Sequence, residues 1–280
     1  MKNDSLVIMA GGASSRMKQS LKHSNLERNA LDVAKKYHKS LIPLDQEGKP
    51  LLYFLLKNAV STGIKTVYLI TSKDNKMFKG FISSLKGDPQ FDDLKVKFAI
   101  QYVPEGREKP LGTADALQQC LEQHGKLKNE RFTVCNGDNL YDVGALKALR
   151  EKRGTSNALI AYDGAVLGHT QEKIAKFALL DFDAQHLLTD IIEKPSGAAL
   201  KKYGRKHTKF WVSMNIFSFQ GDFIYPFLQN CPIHPIRGEK ELPEAVRNAV
   251  MESPGSVLCI PRSEKIPDLT TAQDIASFFK

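Results

Sequence analysis

The chain has 280 residues, 42% of them hydrophobic, and carries 40 lysines and arginines against 31 aspartates and glutamates, a net charge of +9. That length and apolar fraction exclude a disordered chain and suit one or two domains with a sizeable core. The basic balance suits a phosphate-rich partner (nucleotide, nucleic acid or anionic membrane) or a solvated lysine surface, and the four scattered cysteines lack zinc-site spacing.

No stretch reaches the ~20 apolar residues of a membrane span. The apolar run of MKNDSLVIMAGG is too short for a signal peptide and reads as a first strand. A reducing cytoplasm is the expected compartment.

SLVIMA (5–10) is a short apolar run ending in glycines, a buried strand followed by a turn. From 18 to 38 the chain is polar and basic, with helical pieces such as LERNALDVAKKYHK. PLLYFLLKNAVSTG has apolar residues at helical spacing and stops at Gly63, a C-cap signal. KTVYLIT predicts a strand, KDNKMFKGFISSLKG a helix, and VKFAIQYV a strand. PLGTADALQQCLEQHG opens on a glycine turn and continues as a helix, and RFTVCNGDN is a strand ending in a polar turn. ALKALREKRG is helical and NALIAYD a strand. KFALLDFD and LLTDIIEKP form a hairpin, and TKFWVSMNIFSFQ alternates as one strand. DFIYPFLQN and KELPEAVRNAVME are helices, SVLCIPRS a strand and TTAQDIASFF a closing helix.

Strands alternate with helices through the first half, which predicts βαβ units and a Rossmann-like, mostly parallel sheet flanked by helices. The β-rich middle adds antiparallel strands. One α/β domain over residues 1–280, with a basic insertion at 18–38, is the simplest organisation. Ligands in such sheets bind beyond the carboxyl ends of the strands, so the turns after SLVIMA and RFTVC meet at one edge.

Six pieces lie where chemistry is expected. In MAGGASSRM the glycines let backbone N–H groups approach a phosphate, and Arg16 adds planar donors; a serine-capped turn into a helix is the plain alternative. Lys39 precedes the apolar run of KSLIPL, as a phosphate ligand or as a surface lysine. PLGTADAL places Gly112 and Thr113 at a helix start, whose N–H groups and dipole favour anions. Asp138 in NGDN is a candidate Mg²⁺ ligand or a plain turn residue. IIEKP offers Glu193 to sugar hydroxyls and Lys194 to a phosphate, or a solvated ion pair. IPDLTTAQD offers Asp268 as a second metal ligand or a turn residue.

The order of these pieces is more specific than any one of them. Strand-AGG-x₃-R, K-x-L-x-P, LGTADA, NGDN, EKP and P-D-x-T-T together resemble the sugar-1-phosphate nucleotidyltransferase family, which includes the glucose-1-phosphate thymidylyl- and uridylyltransferases. The resemblance spans Leu6 to about Ile275. It implies a transfer of a nucleoside monophosphate from an NTP to a sugar 1-phosphate, with pyrophosphate released and Mg²⁺ as cofactor. Ala10, Gly11, Gly12, Gly112 and Thr113 would hold the nucleotide. Arg16, Lys39 and Asp138 would form the catalytic set, Asp138 and Asp268 the metal site. Glu193, Lys194 and Asn215 would face the sugar phosphate. The implied partners are those two substrates, with a homo-oligomer allowed and neither nucleic acid nor membrane expected.

The chain departs from the family pattern in places. The link between Arg16 and Lys39 is longer than usual. Phe177 and Ala178 stand where a glycine is usual, and Met214-Asn215 where a Thr-Gly or Ala-Gly is usual. Both departures fall on the sugar side. They leave open a non-sugar phosphorylated acceptor such as phosphocholine, or a regulatory protein that binds nucleotide without turnover. A left-handed β-helix after Lys280 is not expected.

Overall fold

The apolar run that opens the chain becomes β1 (Ser5–Met9), and everything at the site is placed relative to it. The computed structural model describes residues 3–12, 17, 20, 37–206, 209–271 and 274. Arg16, most of the basic insertion and most of the closing helix lie outside the described residues.

β1 is flanked by two parallel neighbours, β2 (Thr66–Thr71) and β4 (Arg131–Asn136), with β3 (Lys95–Ile100) parallel to β2. Crossover helices join them: α1 (Leu51–Ser61), α2 (Lys76–Ser84) and α3 (Thr113–Gln123). Gly63 takes a φ of +85° just past α1, the left-handed turn that its C-cap signal predicts. After β4 come α4 (Val143–Arg150) and β5 (Asn157–Asp163). The remainder is α5 (Gln171–Ile174), β6 (Ala178–Phe182), β7 (Leu188–Ile192), α6 (Gly197–Lys206), β8 (Trp211–Ser213), β9 (Ile216–Gln220), α7 (Gly221–Gln229), α8 (Leu242–Glu252) and β10 (Val257–Arg262).

Among the described residues ten strands form one sheet, in the order β3-β2-β1-β4-β9-β5-β8-β6-β7, with β10 on the other edge of β5. The first four strands and the β5–β10 pair are parallel; β9, β8 and the β6–β7 hairpin bring the antiparallel pairings. This is the expected Rossmann-like mixed sheet. Successive residues of β1 point to opposite faces, so Leu6 and Ile8 join one core cluster and Val7 the other. α1 and α4 cover the first face through Leu55, Leu56 and Leu146. α3, α7 and α8 cover the second through Leu117, Ile224 and Val246. A parallel sheet requires such cover on both faces.

Two features differ from the sequence reading. TKFWVSMNIFSFQ is not one strand: it breaks at Met214-Asn215 into β8, which pairs with β5 and β6, and β9, which pairs with β4 and β5. Asn215 takes a φ of +54° at the break, which interrupts the extended backbone. The helices α5 and α6 have no counterpart in the sequence reading: α5 is only four residues long, and α6 is dominated by small and charged residues, with few apolar ones to mark its face.

All four cysteines are free and buried. Burial pushes the Cys120 thiol up to about 12 and the Cys231 thiol up to about 11. It raises Cys135 and Cys259 further still. A thiolate is the reactive species, so these groups are inert. A disulfide reagent such as Ellman's should release no colour from the native protein at pH 8 and four equivalents in denaturant; rapid native reaction would show that the core opens.

Candidate active site

A cleft of about 810 Å³ runs along the carboxyl edge of β1 and β4. Its walls include Ala10, Gly11, Gly12, Lys39, Gly112, Thr113, Asp138, Glu193, Lys194, Asn215 and Asp268. The structure thus brings together every candidate residue from the sequence except Arg16, which lies outside the described residues.

At one end the glycine turn after β1 faces the start of α3. Gln101, just past β3, spans the space between: its Nε2 donates to the Gly112 carbonyl at 2.9 Å and to Asp115 Oδ2 at 3.0 Å. A Cβ on Gly11 would sit 3.0 Å from Gln101 Oε1. Gly112 has a φ of +118°, and a Cβ there would fall 2.3 Å from the Lys240 carbonyl oxygen. That close approach lets Lys240 N donate to the Leu111 carbonyl at 2.6 Å and the Lys240 carbonyl accept from Ala114 N at 3.0 Å. Thr113 Oγ1 accepts from Leu242 N at 2.8 Å. The first turn of α3 is therefore tied to the chain entering α8, and its Ala114 N–H is already used.

In the middle, Asp138 and Asp268 come from distant turns joined by main chain. Asn139 and Asp268 form an antiparallel bridge. Leu269 N donates to the Asp138 carbonyl at 2.8 Å, and Leu140 N to the Pro267 carbonyl at 3.0 Å. Asn139 Nδ2 donates to Asp268 Oδ1 at 3.1 Å, and Thr270 Oγ1 to Asp268 Oδ2 at 2.8 Å. Each carboxylate carries a lysine: Lys39 Nζ pairs with Asp138, and Lys173 Nζ lies 2.9 Å from Asp268 Oδ2 and 2.9 Å from Asp274 Oδ1. Burial works against the Lys173 ammonium, yet Asp268 and Asp274 outweigh it and raise its pKa above the ordinary lysine value. Among the described residues no group of three or more acidic, histidine or cysteine side chains forms a metal cage. Two hard carboxylates already attracting cations fit Mg²⁺, which takes one or two protein carboxylates and completes its shell with phosphates and water.

At the far end, Lys194 has a φ of +46° and places Nζ 2.6 Å from Glu241 Oε1 and 3.7 Å from Glu193 Oε1. Arg237 pairs with the other oxygen of Glu241. Glu193 is pushed up to about 7, mainly by burial and then by the charge of Glu241, against the opposing Lys194 and Arg237. Phe177, Ala178 and Asn215 complete this end.

Four residues of the site escaped the sequence reading. Gln101 left a signal, a buried polar residue directly after an apolar strand. Glu241 and Arg237 sit in a charged segment that reads as surface. Lys173 reaches Asp268 across 95 positions, a contact with no local signature.

The sheet and its carboxyl-edge cleft place the chain in the Rossmann-like class of α/β proteins. The family model described as Nucleotidyl transferase matches residues 5–265, and the chain belongs to that family. The fold is similar to that of UDP-glucose pyrophosphorylase complexed with UDP-glucose, over 99% of this chain and 97% of the other, with a TM-score of 0.72 and 14% identity. It is also similar to a Bacillus anthracis chain assigned as a glucose-1-phosphate thymidylyltransferase, in complex with a sucrose, over 98% and 93% of the two chains, with a TM-score of 0.65 and 17% identity. At these identities the likeness establishes the fold. No helix among the described residues is long and apolar enough to cross a membrane.

Two outcomes test this geometry. Gly112→Ala forces a Cβ against the Lys240 carbonyl and should destabilise the protein by about 2 kcal/mol or more in denaturant unfolding; an unchanged midpoint would mean that the α3–α8 contact is loose. Glu193 rises in the fold from an ordinary 4.5 to about 7. Between those values the folded chain binds the extra proton, so this group's contribution to stability is full below about 4.5 and is lost as the pH rises through 7. Glu193→Gln should remove that part of the slope in a series of melting temperatures from pH 4.5 to 8, and identical slopes would refute the assignment.

Proposed function

We propose that the chain transfers a nucleoside monophosphate from an NTP to a sugar 1-phosphate, giving an NDP-sugar and pyrophosphate. The observation that carries this reading is the pair of lysine–carboxylate contacts, Lys39–Asp138 and Lys173–Asp268, lining one cleft together with the glycine turn and Glu193–Lys194. The UDP-glucose held by one structural neighbour is a product of this kind.

An oxygen of the acceptor phosphate attacks the α-phosphorus. The new oxygen–phosphorus bond forms as the bond to the β-phosphate oxygen breaks, and pyrophosphate leaves in line. The attacking oxygen is already anionic, so no general base is required. The protein's task is to hold two polyanions together against their repulsion and to stabilise charge spread over the transferred group. Gly11 and Gly12 admit the triphosphate close to backbone, Gly112 and Gln101 bound the base and ribose, and Lys39 supplies a cation, with Arg16 assigned to the same task from sequence. Asp138 and Asp268 would hold Mg²⁺, which supplies Lewis-acid charge to the phosphates when bound. Glu193, Lys194 and Asn215 face the acceptor. Phe177, Ala178 and Asn215, where the family usually has glycine, allow a second reading, nucleotide binding without turnover, against which the retained Arg16, Lys39, Asp138 and Asp268 argue.

The deciding experiment is pyrophosphate release with Mg²⁺, crossing UTP, dTTP, CTP, GTP and ATP with hexose 1-phosphates, their N-acetylated forms and phosphocholine. One productive NTP and sugar-phosphate pair is expected, and Asp138→Asn should slow it by about two orders of magnitude or more with an unchanged circular-dichroism spectrum. Nucleotide binding by calorimetry without release from any pair would select the second reading, and full turnover by Asp138→Asn would remove the metal assignment.

A further inference from the structure

Lys173 stands in α5, a single helical turn in which the Lys173 and Ile174 N–H groups both close on the Thr170 carbonyl, at 3.0 and 2.9 Å. Ile174 packs against the core, while Lys173 lines the cleft together with Thr170, Glu172 and Lys176. The ammonium holds two carboxylates at once, Asp268 Oδ2 and Asp274 Oδ1, both at 2.9 Å.

Neither carboxylate depends on the lysine for its position. Asp274 Oδ2 accepts from Thr270 N at 3.0 Å, from Thr271 N at 2.6 Å and from Thr271 Oγ1 at 2.9 Å, which closes that turn by itself. Asp268 accepts from Asn139 Nδ2 on one oxygen and from Thr270 Oγ1 on the other, and its backbone bridges to Asn139. What Lys173 adds is charge. A lysine carries a compact charge on a long, rotatable stem, so a stronger anion can draw it away from a carboxylate. A metal ion on Asp268 shares that carboxylate with an ammonium, and two cations so close repel each other. They therefore compete for Asp268. A triphosphate ends the competition, because it brings several anionic oxygens, enough for the metal and the lysine together.

We propose that Lys173 is a phosphate-binding residue, held by Asp268 and Asp274 until a metal ion takes Asp268 and then passed to the triphosphate. The inference rests on the transfer reading above and adds a cation to its nucleotide side. Lys173 thereby keeps the metal from binding tightly before the nucleotide is present, and it joins Lys39 on the phosphates once both have entered.

The test needs neither the base nor the acceptor to be known. Its probes are Mn²⁺ alone, followed by loss of the free-ion EPR signal, and inorganic tripolyphosphate in excess Mg²⁺, followed by calorimetry. Lys173→Met and Lys173→Gln remove the charge, and Lys173→Gln keeps a donor for Asp274, so it stands in if Lys173→Met fails to fold. Both neutral variants should bind Mn²⁺ at least about threefold tighter than wild type, since a like charge has left the site. Both should bind magnesium tripolyphosphate at least about tenfold more weakly. Lys173→Arg restores the charge and should bring both affinities to within about threefold of wild type. A merely structural lysine cannot produce these opposite shifts, because a damaged turn weakens both ligands. Mn²⁺ binding that is unchanged or weaker in the neutral variants, unchanged tripolyphosphate binding, or no tripolyphosphate binding to wild type would each overturn the proposal. Failure of every substrate pair to release pyrophosphate removes the transfer reading instead, and the two binding measurements still decide the role of Lys173.

Discussion

The cleft depends on a main-chain junction between the turn after β4 and the segment after β10. Asn139 and Asp268 are 129 positions apart, yet their backbones bridge, with the Asp138 carbonyl and Leu269 N–H inside the same junction. Hydrogen bonds of this kind fix backbone, not merely side chains, so two carboxylates that repel one another are held near each other by the fold itself. Lys39 and Lys173 offset that repulsion, one on each carboxylate. The arrangement is preorganised: its charged groups are held in place by main chain and ion pairs.

A second constraint couples the two ends of the cleft. The Lys240 backbone packs against Gly112 at the start of α3, and the next side chain, Glu241, holds Lys194 and Arg237. One dipeptide therefore touches the glycine turn at one end and the cationic pair at the other. A shift of the α8 entry moves both.

Much of this was legible in the sequence, for physical reasons. A buried parallel strand is a short apolar run, and a glycine pair after it marks a close turn, so β1 and its edge of the sheet followed directly. Asp138 was visible as an acid flanked by asparagines at the carboxyl end of a strand, and Asp268 as an acid between the last strand and the last helix. The break at Asn215 was not visible, because VSMNIF continues the strand alternation through the residue that leaves the extended region. Gln101 was readable in principle as a polar residue ending a strand. Lys173 was not, since a lysine in a four-residue helix looks like any other surface lysine until the fold carries it to Asp268.

The sealed thiols of the core have a use beyond stability. With Cys120, Cys135, Cys231 and Cys259 all buried, a single cysteine introduced at an exposed position would be the sole attachment point for a maleimide dye on the folded protein. The loop of residues 103–109 is exposed along its length and runs toward the glycine turn of α3. A fluorophore there would watch the mouth of the cleft without any native residue first being removed.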